Sequence, residues 1–435
     1  MKKRYCLIGL GKIGYNLAIS LDNKKFNFDF WDIDQIKTKK LSKKLKKKPI
    51  INLQNYLKKK GQVIILLLIP YNKINFFIKT NIKYFKKNDA IIDFGNSNPD
   101  QTHKLHISLK KKGILFFGIG FSGGVQGAAN TPSLMISGKK IEIKKISNLL
   151  ITILNSNNIN IIGKDPRLGH LSKICHNSIE YGLMKLLGEF YILQKNIFNL
   201  PNSTILRNFK KINIKNPDFY LGNLSEEILI LKKNFLNKHI ISDKIDHNQT
   251  SKWFNILCLE NDIIYPTLFS SLENRILSRN IKTFNFKKEK NKFLLKKFHN
   301  EYVDLFISLF FICYIQGILA ILAICKIKKI DLNLNCLLKV WSKNSIISSN
   351  QLNKINHNLS IQKINSLKFL SKKKIVKINS DISDLIKLFL SHQENPTGLF
   401  SIFNWLNSHN SSRKNENVFV NILRNVFGNH KLNKN

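Results

Sequence analysis

Acidic residues are scarce in this chain: 27 Asp and Glu stand against 71 Lys and Arg in 435 residues, a formal net charge of +44. A deficit that large raises the question of a polyanionic partner, because nucleic acid and anionic surfaces select basic proteins. The excess is not gathered on one tail. Lys, Ile and Asn crowd every region, as AT-rich codons would supply, which argues against nucleic acid as the partner. Cysteine pairs are also missing. Cys6, Cys175, Cys258, Cys313, Cys325 and Cys336 form no C-x-x-C, and no Cys/His cluster has ligand spacing, so no metal is expected and the thiols read as reduced and mostly buried. No small-residue cleavage site follows Met1-Lys2-Lys3-Arg4 and no fixed-period repeat is visible; the expected location is the cytoplasm. One charge-free run of 21 residues, Leu305 to Cys325, is long enough to cross a bilayer. Ser308, Tyr314, Gln316 and Gly317 lie inside it and no second span follows, so a core or dimer-interface helix is expected and no membrane partner.

Apolar residues make up 43% of the chain and aromatics 10%, enough to build sizeable cores, and the length calls for two or three domains. The first 165 or so residues alternate strand-like runs (Tyr5–Ile8, Phe28–Asp32, Val63–Ile69, Ala90–Phe94, Leu115–Ile119) with helical segments such as Ile13–Leu21 and Ile36–Leu45. That alternation predicts an α/β Rossmann-like parallel-sheet domain. Lys37–Lys48 holds eight lysines, but Leu41 and Leu45 mark a helix with an apolar edge on the sheet and lysines in solvent. After Pro166 strand signals vanish, and helical spacing continues to about residue 400. Asn- and Ser-rich breaks at 407–412 precede a last short helix, Val418–Val426. The expected division is a nucleotide-binding domain over 1–168, a large all-α domain over 169–410 and a short C-terminal tail over 411–435.

Strand, turn and helix meet at Gly9-Leu10-Gly11-Lys12-Ile13-Gly14. In this pattern the first glycine permits the turn, the second admits a pyrophosphate to the backbone, and the third packs helix on strand. Asp32 ends the second strand, with Ile33 and Asp34 after it. A carboxylate there suits the ribose hydroxyls of NAD and repels a 2′-phosphate, unless Asp32 points elsewhere and nearby lysines hold a phosphate. Asp93-Phe94-Gly95-Asn96-Ser97 lies at another strand end. Ser122-Gly123-Gly124 offers a hydroxyl and open backbone N–H groups, or is only a flexible turn. In the block Gly169 to Gly182, Lys173, His176, Asn177, Glu180 and Tyr181 share one helical face. Such a stripe is either a salt-bridged solvent face or a catalytic face. Surface stripes elsewhere in this chain are lysine upon lysine, which favours the catalytic reading. Lys173 and Glu180, two turns or about 10 Å apart, could serve opposite ends of a small substrate. Burial among cations would leave Lys173 able to act as a general base.

These motifs together resemble the decarboxylating 6-phosphogluconate dehydrogenases, in order and over nearly the whole chain. Thr250-Ser251-Lys252-Trp253 is similar to that family's Gly-Thr-Gly-Lys-Trp, and Arg275-Ile276-Leu277-Ser278 follows at the expected distance. Tyr314-Ile315-Gln316-Gly317 resembles its Tyr-Ala-Gln-Gly, and Arg424 to His430 its C-terminal Arg-x-x-(Tyr/Phe)-Phe-Gly-Ala-His. The resemblance implies oxidation and decarboxylation of 6-phosphogluconate to ribulose 5-phosphate. Lys173 would be the base and Glu180 the acid. Asn96, Ser122, Gly123, Gly124, His176 and Asn177 would hold the sugar acid. Tyr181, Lys252 and Arg275, with Arg424 and His430 of the partner subunit in a homodimer, would hold the phosphate. The cofactor would lie on Gly9 to Gly14, Asp32 to Asp34, Leu68, Ile69, Pro70 and Asn96.

Several positions depart from the family pattern. Asp32-Ile33-Asp34 stands where the family usually has Asn-Arg-Thr, so the resemblance implies NADP while Asp32 and the missing arginine favour NAD. Ile69 replaces a lysine, and Ser342-Lys343-Asn344-Ser345 replaces an Arg-Gly-Gly-Cys stretch. The sequence stops five residues after His430 without the usual threonine–asparagine–tryptophan segment, which should weaken the dimer or the cofactor lid. The competing expectations are a short-chain β-hydroxyacid dehydrogenase, which has no use for Lys252, Arg275, Arg424 and His430, and a non-catalytic basic binding protein on a dehydrogenase scaffold.

Overall fold

Five short runs rich in Ile, Leu, Val and Phe form one parallel sheet. A computed structural model describes residues 3–231, 244–280, 301–358 and 372–408, together with Val420. The strands are β1 (Lys3–Ile8), β2 (Asp29–Trp31), β3 (Gln62–Leu67), β4 (Ala90–Asp93) and β5 (Leu115–Gly118), ordered β2-β1-β3-β4-β5. Both faces are covered. Ile64 and Leu66 of β3 enter one core with Leu17, Leu41 and Leu150, while Val63, Ile65 and Leu67 enter another with Ile74, Ile78 and Leu109. That two-sided burial is why the strands read as continuous apolar runs and not as alternating ones. The order reverses between β1 and β3, so their carboxyl ends open the crevice where ligands bind in such sheets.

Four of the five expected strands end earlier than the sequence implies. β2 ends at Trp31 because Asp32 turns to bond the loop after β1, and β3 ends at Leu67 as Leu68 packs against that loop. The stretch after β5 is not one strand. It breaks into a second, antiparallel pair, β6 (Gly120–Ser122) with β7 (Ser133–Met135), which carries Ser122 away from the main sheet. The lysine-rich segment is the helix Gln35–Leu45 with Leu41 buried, as its apolar edge implies.

From Leu168 the described chain is helical, apart from isolated bridges and connecting turns. The helix Leu168–Ile192 runs through the third core, packed against Tyr302–Ile327. The latter contains the charge-free run and is long and apolar enough to cross a membrane, yet most of it is buried in protein. Two of its polar side chains bond inside the protein: Tyr314 donates to the Ile347 carbonyl at 2.9 Å, and Gln316 Oε1 accepts the Thr267 N–H at 3.1 Å, while Gln316 Nε2 has no partner among the described residues. Five of the six cysteines are buried and all are free thiols. Buried Glu189 accepts the N–H groups of Gly398 and Leu399 at 2.8 and 3.1 Å, capping the helix Thr397–Ser408, with Lys185 3.3 Å away. The expected helix Val418–Val426 and the tail residues Arg424 and His430 lie outside the described residues, Val420 apart.

At the start of the long helix, backbone meets backbone at the ends of β5 and β7. A Cβ built on Gly169 would lie 2.1 Å from the Gly118 carbonyl oxygen and 2.7 Å from that of Met135. One on Gly120 would lie 2.6 Å from the Gly169 oxygen and 2.8 Å from Lys173 Cβ. Gly169→Ala must therefore push the long helix off β5 and β7. The expected cost is about 1–3 kcal/mol of stability, read by urea unfolding, and an unchanged midpoint would contradict the close approach.

Candidate active site

The glycine turn is shaped by what each glycine meets. Gly9 has φ +99°, and a Cβ there would strike the Leu68 carbonyl oxygen at 2.5 Å. A Cβ on Gly14 would meet the Gly9 oxygen at 1.9 Å, so the helix Lys12–Asn23 starts hard against the strand. Gly11 faces open space, with nothing within 4 Å of its Cβ position. That opening, at the start of a helix on the switch-point crevice, fits a dinucleotide pyrophosphate. Lys12 is exposed, Ile13 is half-buried, Leu68 and Ile69 lie against Gly9, and Pro70 after them is exposed.

Asp32 is 8% exposed and clamps this turn: Oδ2 accepts the Leu10 N–H at 2.5 Å and Oδ1 the Asp34 N–H at 2.8 Å. A carboxylate has about four acceptor sites, so two backbone bonds leave capacity for ribose hydroxyls. Asp34 is occupied differently. Its Oδ1 caps the next helix by accepting from Ile36 and Lys37, and its Oδ2 is 3.3 Å from Lys37 Nζ. Ile33 is 84% exposed. Of the lysines on the next helix, Lys37 pairs with Asp34 and Lys40 lies above the Tyr15 ring at 5.4 Å.

At the end of β4, Asp93 folds its own loop. Oδ1 accepts the Gly95 N–H at 2.8 Å and Oδ2 the Ser97 hydroxyl at 2.6 Å, leaving Asn96 exposed at the crevice. His170 is buried behind it, 3.2 Å from the Asp93 carbonyl and 2.6 Å from the Thr102 hydroxyl. Gly123, at φ +108°, turns the chain from β6 into the short helix Gly124–Ala129.

Lys173, His176, Asn177 and Tyr181 of the polar stripe are buried, and Glu180 is part-buried. Lys173 is 6% exposed, and burial pulls its amine down to about 8 against the opposing pull of Glu180. The expected burial is the cause, and no neighbouring cation among the described residues contributes. A shift of that size disfavours the charged amine by roughly 3 kcal/mol. Burial pushes the Glu180 carboxyl up, although Lys173 and Arg275 pull it back. Burial, helped by Lys173, keeps His176 neutral; its Nε2 is 2.9 Å from Ser122 Oγ and its Nδ1 3.1 Å from Asn177 Oδ1. Asn177 donates to Thr250 at 2.7 Å, tying the stripe to the helix Gln249–Leu259, where Lys252 is exposed.

Arg275 stacks over the Tyr181 ring, 3.5 Å from its centroid, and donates to the Asp246 carbonyl at 2.7 Å. These two residues edge a cavity of about 330 Å³ that continues to Lys185 and Glu189. Beside Lys252, Trp253 meets Tyr71 edge-on at 4.8 Å, joining the helix that follows Leu68–Pro70 to the one that carries Lys252. Two groups in this site escaped the sequence reading. Ser345, 1% exposed, lies 2.8 Å from His176 Nε2, and its only sequence signal was a departure from the family's glycine stretch. Thr250 belongs to the Thr250-Ser251-Lys252-Trp253 motif, but nothing in the sequence assigned it a site role.

Residues 4–163 match the model described as the NAD binding domain of 6-phosphogluconate dehydrogenase, and residues 169–435 match its C-terminal domain. The decarboxylating 6-phosphogluconate dehydrogenase of Buchnera aphidicola (subsp. Schizaphis graminum) is 28% identical over 64% of this chain and 63% of its own. The NAD(+)-dependent decarboxylating enzyme of Bacillus subtilis is 30% identical over 62% of this chain and 60% of its own. The matched segment thus spans about three fifths of the length of these curated relatives. In fold, the chain is similar to Plasmodium falciparum 6-phosphogluconate dehydrogenase, described apo, with its cofactor NADP+ and with its substrate 6-phosphogluconate. The TM-score is 0.83 at 23% identity, covering 99% of this chain and 98% of that one. With two family models that together cover both the sheet and the helical part, the chain belongs to the 6-phosphogluconate dehydrogenase family.

Proposed function

We propose that this protein oxidises and decarboxylates 6-phospho-D-gluconate to D-ribulose 5-phosphate and CO2, with reduction of a nicotinamide cofactor. The observation that carries the reading is the opposed pair on one buried helix face: an amine lowered to about 8 at Lys173 and a carboxyl raised at Glu180. Groups displaced in this way toward neutrality suit a base and an acid acting at one substrate. Bound on the glycine turn, the cofactor supplies the acceptor for the C3 hydride. Neutral Lys173 takes the C3 hydroxyl proton as the hydride leaves. The resulting β-keto acid loses CO2, and Lys173, now protonated, stabilises the enolate oxygen. Protonated Glu180 then delivers a proton to C1 of the enediol, which leaves ribulose 5-phosphate.

In this assignment Asn96, Ser122, Gly123, Gly124, His176 and Asn177 orient the sugar acid. Tyr181, Lys252 and Arg275, with Arg424 and His430 of the partner subunit, neutralise the phosphate, so the working unit is a homodimer. The division into 1–168, 169–410 and 411–435 and a cytoplasmic location belong to the same proposal.

For the cofactor we propose NAD over NADP. Asp32 holds a carboxylate under the turn, Ile33 offers no charge to a 2′-phosphate, and Lys37 is paired with Asp34. Purified protein given 6-phosphogluconate with either cofactor should release CO2 and reduced nicotinamide, with kcat/KM at least about tenfold higher for NAD. No turnover with either would sink the function, and equal or better use of NADP would sink the preference alone. Lys173→Ala should lower kcat about a thousandfold while 6-phosphogluconate still binds by calorimetry. Retained turnover would remove Lys173 from the base role.

A further inference from the structure

We infer that Ser345 is a positioning residue of this site, holding the His176 imidazole so that the Ser122 hydroxyl is free to turn to substrate. This rests on the substrate reading above. The loop Ser342-Lys343-Asn344-Ser345 follows the helix Leu334–Trp341 and reaches the site from the far side of the sequence. Asn344, at φ +54°, presses its carbonyl on Gly123, where a Cβ would lie 2.8 Å from the Asn344 oxygen. The next residue therefore enters directly behind the Ser-Gly-Gly turn.

Two hydroxyls converge there on one nitrogen. Ser345 Oγ is 2.8 Å and Ser122 Oγ 2.9 Å from His176 Nε2, and the two oxygens are 3.4 Å apart. The tautomer follows from the neighbours. Asn177 Nδ2 donates to Thr250, so its Oδ1 faces His176 Nδ1 at 3.1 Å as an acceptor. In the neutral ring Nδ1 therefore carries the proton and Nε2 a single in-plane lone pair. Both serines compete to donate to that lone pair, while the Ile347 N–H donates to Ser345 Oγ and the Ile346 N–H to Ser122 Oγ, each at 3.3 Å.

His176 is wholly buried, so an unsatisfied Nε2 is penalised. With Ser345 donating, Ser122 can swing its proton to a substrate oxygen without leaving Nε2 bare. Without Ser345, Ser122 is the remaining donor for that nitrogen and substrate must compete for it. A serine at the position of the family pattern's cysteine supplies a stronger donor in a similar volume.

The test compares Ser345→Ala with Ser345→Cys in the full-length protein. Ser345→Ala should raise KM for 6-phosphogluconate about tenfold, with kcat and the cofactor KM within about twofold. Ser345→Cys should recover part of the loss. An unchanged KM would overturn the role, as would equal losses for substrate and cofactor with no recovery by cysteine, the pattern of a merely structural residue. The 15N shift of His176 Nε2, read in the free protein, should move in Ser345→Ala and move less in Ser345→Cys. An unmoved Nε2 overturns the inference whatever the activity. A moved Nε2 in a protein inactive toward 6-phosphogluconate would sink the substrate reading instead.

Discussion

The site depends on one contact, backbone against backbone, where the long helix meets the ends of β5 and β7. Gly169 has no room for a Cβ against the Gly118 and Met135 carbonyls, and Gly120 has none against Gly169 and Lys173. Because nothing intervenes, the first turns of the helix are driven beneath the crevice that the sheet opens at its switch point. Lys173 is thereby buried with His176, Asn177 and Tyr181, and Glu180 is part-buried at the end of the stripe. A side chain at any of these glycines would lift the stripe toward solvent, where Lys173 would return to an ordinary surface amine.

Burial then acts on each group according to its charge. It penalises the ammonium of Lys173, the imidazolium of His176 and the carboxylate of Glu180 alike, and so moves amine and acid toward neutrality from opposite sides. Lys173 and Glu180 temper each other. Arg275 adds positive charge at the Glu180 end and is itself stacked on Tyr181. From the stripe to the neighbouring helix Pro266–Asn280, the site thus runs from a reluctant cation at Lys173 to the Arg275 guanidinium, which suits a substrate with a reacting alcohol at one end and a phosphate at the other.

Much of this was legible in the sequence because it is periodic or local. The glycine turn follows from a local motif, the five parallel strands from continuous apolar runs set between helical stretches, and the stripe at Lys173, His176, Asn177, Glu180 and Tyr181 from the 3.6-residue helical period. The β6–β7 pair was not legible, since a three-residue strand broken at Ile119 has no period to detect. Asp34 was read with Asp32 as a cofactor residue, but it caps a helix, and only the hydrogen bonds separate the two carboxylates. Ser345 was hidden for a different reason. It is more than 160 residues from His176 in sequence, and their contact exists only through the fold. The +44 charge, the most conspicuous feature of the composition, contributes to the site through Lys173, Lys252 and Arg275 among the described residues.

The central claim, that burial has made Lys173 a base, is tested most directly by titrating its amine. In the free protein, 15N-lysine NMR with the Lys173 signal assigned by its loss in Lys173→Ala should show a midpoint near 8. Below that pH the amine keeps its proton and cannot accept another from C3, so kcat/KM should fall with the same midpoint. A Lys173 midpoint near the ordinary 10.5 would contradict the account.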